Sequence, residues 1–105
     1  MSVVDRVLEA LNAGDIDAFV RCYGDSATLE NGYGRIAASG HEELRKMYGA
    51  MFEAYPDIRV EPGWRTHVGE FVVQEETVTG RRGHERHVAV YQVENDLIVR
   101  ERLFA

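Results

Sequence analysis

The stretch ALNAGDIDAFVRCYGDSATLENGYG, residues 10–34, predicts two helices and a strand in quick succession. Gly14 suits the left-handed position that ends a helix, and Asp15 is a residue type that caps the next one. A strand-like segment then ends in Glu30 and Asn31, directly before a glycine-rich loop. This carboxylate and this amide therefore lie either in a turn or at the rim of a site.

Helical periodicity continues on both sides of this stretch. Valines and leucines spaced three and four residues apart predict a first amphipathic helix at the N-terminus. The second helix is predicted to close at Gly24, and GYGRIAASG is predicted to be a loop because of its glycines. A third helix is predicted over residues 40–57, where Pro56 stops it. Its apolar stripe consists of Leu44, Met47, Tyr48, Met51, Phe52 and Tyr55.

From Ile58 onward the apolar pattern alternates, which predicts strands. The four segments are IRVEPGWRTHVG, EFVVQEETVTG, RHVAVYQVEN and LIVRERLFA. GRRG and END between them predict two hairpins. Helices followed by antiparallel strands indicate an α+β fold in which three helices pack on a curved, mostly antiparallel sheet. Without an internal repeat or a linker, residues 1–105 are predicted to form one domain.

Composition narrows the classes of function. The net charge of −6 argues against non-specific nucleic-acid binding, which depends on basic patches. No apolar run approaches the roughly 20 residues of a membrane span, and the N-terminus lacks a signal-peptide pattern. A single cysteine, Cys22, cannot form an internal disulfide, so the cytoplasm is the expected compartment. No motif predicts a metal or another cofactor, and the four histidines lack ligand spacing.

The strands show no clean contrast between a polar face and an apolar face, unlike a sheet with one wet side. We therefore expect both faces to be covered, one by helices around a partly polar cavity and one by a partner subunit. A valine-bearing outer face would be too large an exposed patch for most monomers, which predicts a homodimer. The residues predicted for that face are Val72, Val78, Val88, Val90, Val99 and Leu103.

Three segments in order, LNAGDIDAFVRCYGDSATLEN, SGHEELRKMY and LIVRERLFA, resemble the NTF2-like superfamily. Within it, the chain resembles the SnoaL-like and ketosteroid-isomerase-like branch. The resemblance implies a cystatin-like cone, in which a curved sheet wrapped by three helices encloses a ligand pocket, and frequent dimers through the sheet. It does not imply one activity, because this scaffold hosts isomerases, cyclases, epoxide hydrolases and non-catalytic binding modules.

The resemblance also places the isomerase machinery at three positions. The catalytic base would fall at Asn31, the tyrosine at Val7 and the protonated acid at Ala89. Asn31 has no basic lone pair, and the other two side chains donate no hydrogen bond. Ketosteroid isomerisation by that mechanism is therefore not expected, and Asn31 is interpreted as a residue that orients a ligand.

The family's strand register implies which side chains point into the cone. These are Val73, Glu75, Thr77, Thr79, His87, Tyr91, Ile98, Arg100, Arg102 and Phe104. Glu75 and His87 are the candidate catalytic residues. The candidate substrate-binding residues are Tyr23, Asn31, Tyr48, Phe52, Trp64, Thr77, Tyr91, Arg100 and Arg102. A slip of one residue would turn Glu75 and His87 outward and bring Gln74, Glu76 and Val88 inward.

Two hypotheses follow. The first is a cofactor-independent isomerase, cyclase or hydrolase that performs acid–base chemistry on a small apolar ketone, lactone or epoxide. Arginines in the pocket would suit a weakly acidic ligand, because a guanidinium binds carboxylates or enolates. The second is a non-catalytic ligand-binding or dimeric assembly module. Glu75 is then one half of a structural ion pair with Arg100 or Arg102, and His87 is an ordinary hydrogen-bonded residue of a strand.

Overall fold

The computed structural model describes residues 1–105 and contains three helices and six strands. The helices are α1 (Val3–Ala13), α2 (Ile16–Arg21) and α3 (Gly40–Ala54). The strands are β1 (Tyr23–Asn31), β2 (Ile36–Ser39), β3 (Arg59–Val68), β4 (Phe71–Thr79), β5 (Glu85–Glu94) and β6 (Leu97–Phe104). The predicted α+β fold, with three helices on a curved sheet, is confirmed.

The strands form one open sheet in the order β2-β1-β6-β5-β4-β3. Every neighbouring pair is antiparallel except β1 and β6, which run parallel and are separated in the chain by α3 and four strands. Register shifts interrupt β1, β3 and the β5–β6 pair. Such bulges bend a strand and increase its twist, so the sheet curves around the helices on one face.

Local signals placed most element ends correctly. Gly14 ends α1 in the left-handed conformation (φ 65°), and the Asp15 side chain caps α2 by accepting from the Ala18 amide. Asn95 and Asp96 both have positive φ, as a two-residue turn between antiparallel strands requires. No helix combines the length and the apolar character needed to cross a membrane.

Three boundaries differ from the prediction, and one of them is the end of α3, which lies at Ala54 and not at residue 57. Helix α2 ends at Arg21, so Tyr23 begins β1 and its backbone lies beside Ile98 of β6. The predicted loop contains strand β2, which pairs antiparallel with β1 at Leu29 and Ala38. Neither of the last two differences has a local signal in the sequence. The early start of β1 depends on pairing with β6, which is distant in the chain, and β2 depends on pairing with β1 across the turn between them.

The predicted orientation of β4 is wrong. Val72, Gln74, Glu76 and Val78 face the helices and are buried, so Val73, Glu75, Thr77 and Thr79 face outward. The hairpin explains this: Val78 pairs with Glu85, and an even number of residues separates them. Residues of β4 and β5 that face the same side therefore have an odd number on one strand and an even number on the other. Because His87 points inward, its cross-strand partner Glu76 must also point inward.

The predicted orientation of β6 is correct only at its start. Ile98 is fully buried, but the register shift at Gln92–Val93 then places Glu101 opposite Tyr91. Arg100 and Arg102 are consequently on the outer face, with Phe104 exposed near them.

The structure also corrects the prediction of which residues lie on the outer face of the sheet. Val72 and Val78 are buried beneath the helices, and Leu103 lies on the inner side of the sheet. Half-buried Val88 and Val90 remain on the outer side, opposite Phe104 and Arg102 of β6.

Candidate functional site

A cavity of about 70 Å³ lies between the inner face of the sheet and the three helices. At roughly 10–15 Å³ per water, this is space for about five waters or a ligand of similar size. Its wall is mostly apolar and aromatic, with a few polar groups, as small-molecule sites usually are. The lining residues are Val7, Leu8, Leu11, Phe19, Tyr23, Tyr48, Met51, Ile58, Val60, Glu76, Val78, Arg81, His87, Tyr91, Glu101 and Leu103.

The half-exposed lining residues mark the mouth of the cavity. Met51, Arg81, His87 and Leu103 are partly accessible, whereas the lining residues from α1 are buried. They meet where β6 ends and β5 begins, since those strands are antiparallel. The guanidinium of Arg81 donates to Glu85 at 2.7 Å, so its charge is already paired.

A carboxylate and an imidazole form a pair at this mouth. Oε1 of Glu76 lies 2.7 Å from Nε2 of His87, and Oε2 accepts from the Tyr91 hydroxyl at 2.5 Å and from the Gln74 amide at 2.8 Å. Glu76 is only 3% exposed, so these three donors replace its hydration. Because a carboxylate oxygen accepts, Nε2 carries a proton in this contact, and Nδ1 offers a basic lone pair whenever the ring is neutral.

A second carboxyl lies deeper in the same cavity. Oε1 of Glu101 accepts from the Tyr23 hydroxyl at 2.5 Å, and the residue is 5% exposed. Burial is the main cause that raises the pKa of Glu101 to about 8; the Tyr23 hydrogen bond opposes the shift and the charge of Glu76 adds to it. At neutral pH this carboxyl is therefore mostly protonated, and it can donate a hydrogen bond.

Two oxygen atoms are left free to meet a ligand. No protein hydrogen bond engages Oε2 of Glu101 or the hydroxyl of Tyr48, yet no fully enclosed side-chain oxygen lacks a partner. Both atoms therefore retain accessible surface, and because both residues are otherwise buried and line the cavity, they face it. Burial also raises the pKa of Tyr23, Tyr48 and Tyr91, so these phenols remain neutral donors.

Four of the predicted site residues meet at the cavity. Tyr23, Tyr48, His87 and Tyr91 all contribute to its wall. Phe52 is not part of the lining; it packs behind it, with its ring centroid 6.2 Å from that of Phe19.

Most of the other predicted site residues lie on the outer face of the sheet. Glu75 pairs with Arg86, and Thr77 is on the same face of β4. Arg100 donates to Gln92, and Arg102 binds Glu30. The expectation that Glu75, Thr77 and the two arginines point into the cone is therefore wrong.

Trp64 and Asn31 are also outside the cavity. Trp64 is 50% exposed at the bulge of β3. The side-chain oxygen of Asn31 accepts from the amides of Tyr33 and Arg35, at 2.9 and 3.0 Å. Asn31 therefore forms the turn between β1 and β2, which was one of the two interpretations that its position allowed.

The sequence interpretation omitted Glu76, Glu101 and Arg81 from the site. Glu76 was expected inside only in the event of a one-residue slip, which the structure shows on β4. Glu101 carries no local signal, because it stands between two arginines in a strand that alternates. Its burial follows from the β5–β6 register alone.

Comparison with known proteins places this architecture in a family. The family model for SnoaL-like domains matches residues 4–101. The chain belongs to the SnoaL-like domain family. The resemblance to the SnoaL-like branch of the NTF2-like superfamily is thus confirmed, and the match includes most residues that line the cavity.

Solved structures share the fold of this SnoaL-like domain. An uncharacterised cystatin-fold protein from Novosphingobium aromaticivorans has a TM-score of 0.93 and 28% identity, covering 100% of this chain and 99% of that one. A protein from Sinorhizobium meliloti, named provisionally as a polyketide cyclase, has a TM-score of 0.85 and 19% identity over 96% and 92%. An NTF2-like protein of unknown function from Cytophaga hutchinsonii has a TM-score of 0.81 and 15% identity over 96% and 84%.

Proposed function

We propose that this SnoaL-like domain catalyses cofactor-independent acid–base chemistry on a small carbonyl compound, as an isomerase, cyclase or hydrolase. One observation carries the proposal: a single cavity presents a histidine oriented by a carboxylate and, deeper, a carboxyl that is protonated at neutral pH. Titratable groups with opposed protonation states in one site are typical of acid–base catalysis.

His87 is the proposed general base. The free Nδ1 atom would remove a proton from the carbon next to a substrate carbonyl, and Glu76 would stabilise the imidazolium that forms. The 2.7 Å contact between Oε1 of Glu76 and Nε2 of His87 supports this assignment, since it leaves Nδ1 as the basic atom. His87 is at the mouth, where a proton can also exchange with solvent.

Glu101 and Tyr48 are the proposed donors to the substrate oxygen. Each has an oxygen atom at the cavity that no protein hydrogen bond engages, and each carries at neutral pH the proton that it would donate in a hydrogen bond. Donors fixed in an apolar wall stabilise the negative charge that develops on an enolate or a tetrahedral oxygen. The family resemblance implied a protonated acid at Ala89 on β5. The proposed acid, Glu101, lies instead on the neighbouring strand β6.

The cavity favours a neutral ligand. Its ionisable wall consists of three neutral tyrosines, two glutamates, the mouth histidine and Arg81, which is paired with Glu85. A weakly acidic ligand was expected because arginines were predicted inside the cone. Arg100 and Arg102 lie outside it, so that reason no longer applies. We therefore propose a small apolar ketone, lactone or epoxide without a carboxylate.

Deuterium exchange tests the proposal even while the product of the reaction is unidentified. A panel of small ketones and lactones is incubated in D₂O with the protein, and NMR follows the loss of protons next to the carbonyl. We expect exchange above the buffer rate for at least one compound, and His87→Gln should reduce it by about 10²- to 10⁴-fold. His84→Gln is the matched control, because His84 is exposed on the β4–β5 hairpin.

The alternative, a non-catalytic binding module, has a distinct outcome. Compounds that shift the NMR signals of cavity residues without any exchange or conversion would contradict the enzymatic proposal. Equal exchange by the wild type and His87→Gln would instead contradict the role of His87.

We also propose a homodimer through the outer face of the sheet. Exposed Trp64, Val68 and Phe104, with half-buried Val90, supply apolar surface on that side. Analytical ultracentrifugation tests this: Val90→Arg should shift a dimer toward monomer, whereas a wild-type monomer at high micromolar concentration would contradict the proposal.

A further inference from the structure

Strand β3 contains a bulge that changes the direction of one side chain. Pro62 pairs with Glu76 and Arg65 pairs with Gln74, so β3 advances three residues while β4 advances two. The extra residue turns Arg65 toward the inner face, the face that Val60 occupies before the bulge. Gly63 permits the close approach, because a Cβ there would lie 2.6 Å from a carboxylate oxygen of Glu75.

Arg65 begins a continuous chain of hydrogen bonds that ends at the cavity. Its Nη2 donates to Oδ1 of Asp5 on α1 at 2.7 Å, and its Nε donates to Oε1 of Gln74 at 2.6 Å. Gln74 in turn donates from Nε2 to Oε2 of Glu76 at 2.8 Å. Glu76 contacts His87, so four links join the surface of α1 to the proposed base.

The chemistry of the groups allows this chain only one direction. A guanidinium has no acceptor and a carboxylate has no donor, so the amide between them must place oxygen toward Arg65 and nitrogen toward Glu76. Gln74 is fully buried, and water therefore cannot replace either contact. The hydrogen bond from Arg65 lowers the pKa of Asp5, which keeps the outer end of the chain charged.

Neither Arg65 nor Gln74 lines the cavity. We propose that both are positioning residues, which hold the Glu76 carboxylate in the orientation that keeps the proton of His87 on Nε2. Without Gln74, Oε2 of Glu76 retains only the Tyr91 hydroxyl, and the carboxylate is free to rotate away from the ring. The inference rests on the proposed function in that His87 is the base, but its effect on the imidazole ring is measurable without a substrate.

Nitrogen NMR of histidine-labelled protein tests the inference. The ¹⁵N shifts of His87 distinguish the two neutral tautomers, and we expect the Nε2-protonated form in the wild type. Gln74→Met and Arg65→Met should both give a mixture of tautomers. Arg59→Met, an exposed position on the same strand, and Gln92→Met, on the outer side of β5, are the matched controls and should preserve the wild-type spectrum.

The outcomes separate this inference from the proposed function. A wild-type tautomer in both folded variants overturns the positioning role, even if the protein is an enzyme. A mixture of tautomers supports the role, even if no substrate is ever turned over. Should Gln74→Met fail to fold, Arg65→Met decides alone, because Arg65 is 22% exposed and does not line the cavity.

Kinetics give a second readout once a substrate is known. Loss of one hydrogen bond in the chain should lower kcat by about tenfold. KM should change by less than about twofold, because neither side chain contacts the ligand. A rise in KM at unchanged kcat would overturn the inference, since it would indicate a role in binding.

Discussion

Glu30 and Glu101 are two glutamates on neighbouring strands with opposite electrostatic states. Both are nearly enclosed, at 7% and 5% exposure. Glu30 faces outward, where Arg102 donates to it at 2.7 Å and Thr28 at 2.9 Å. Burial raises the pKa of Glu30, but these hydrogen bonds and the charge of Arg102 outweigh it, so the pKa lies below its usual value. Glu101 faces inward, and burial raises its pKa to about 8.

The comparison shows that a small exposed fraction does not by itself decide the charge of a carboxyl, because Glu30 lies near the protein surface whereas Glu101 lies deep beneath the helices. The outer glutamate has an arginine as its neighbour, whereas the inner one has a neutral phenol, which stabilises a carboxylate far less. The pleat of the sheet separates the two environments by one residue position. The outer face therefore holds paired charges, and the inner face holds a carboxyl that is mostly protonated at neutral pH.

The largest expected effect concerns the pH dependence of stability. Because the folded pKa of Glu101 lies above the usual carboxyl value of 4.5, the folded state binds a proton that the unfolded state has released. The free energy of unfolding should therefore fall as pH rises from about 4.5 to about 8, and then level off. Relative to Glu101→Gln, the wild type should lose roughly 3 kcal/mol between pH 5.5 and pH 9.

Urea unfolding of both proteins across this pH range measures the difference. Taking the difference removes the contributions of the other titrating groups, which the two proteins share. A constant difference between the curves would mean that Glu101 is ionised in the folded state, and the contrast with Glu30 would not hold.

The next effect concerns the outer pair. Arg102→Met leaves the buried Glu30 carboxylate without its cation, and we expect a loss of roughly 2 kcal/mol at pH 7. This is less than for a fully buried pair, because the side chain of Arg102 is 34% exposed. Arg100→Met is the matched control: Arg100 donates to the neutral Gln92 and acts on Glu30 only through its charge, the smallest of the causes that lower the pKa of Glu30, so the change should stay below about 0.5 kcal/mol. Equal losses in the free energy of unfolding for the two variants would show that the ion pair between Arg102 and Glu30 contributes no more than the hydrogen bond between Arg100 and Gln92.

The smallest effect is expected at Glu75. Its partner Arg86 is 69% exposed, and surface ion pairs contribute little. Glu75→Gln should change the free energy of unfolding by less than about 0.5 kcal/mol and leave any exchange activity intact. Loss of activity in this variant, with Glu76→Gln still active, would restore Glu75 as the catalytic carboxyl and would contradict the observed register.

The aromatic part of the site and its histidine were predicted from the sequence, but its carboxyls were not. Tyr23, Tyr48, His87 and Tyr91 were predicted to meet at a pocket, and all four line the cavity. Glu75 was predicted to face the cavity, but its neighbour Glu76 lines it, because both strands were given inward residues of the same parity. The length of the β4–β5 hairpin excludes that combination, since face-sharing partners there must differ in parity.

The sequence by itself determined that there are three helices, the caps at Gly14 and Asp15 between the first two, the strands after Ile58 and their turns. These follow from hydrophobic periodicity and turn chemistry, which act between residues close in the chain. Only the tertiary structure decided which face each glutamate occupies and which partner it meets. Bulges such as the one at Val99 of β6, opposite Gln92 and Val93, and the one between Pro62 and Arg65 of β3 arise from pairing between whole strands, and each reverses the inward and outward alternation of its own strand beyond it.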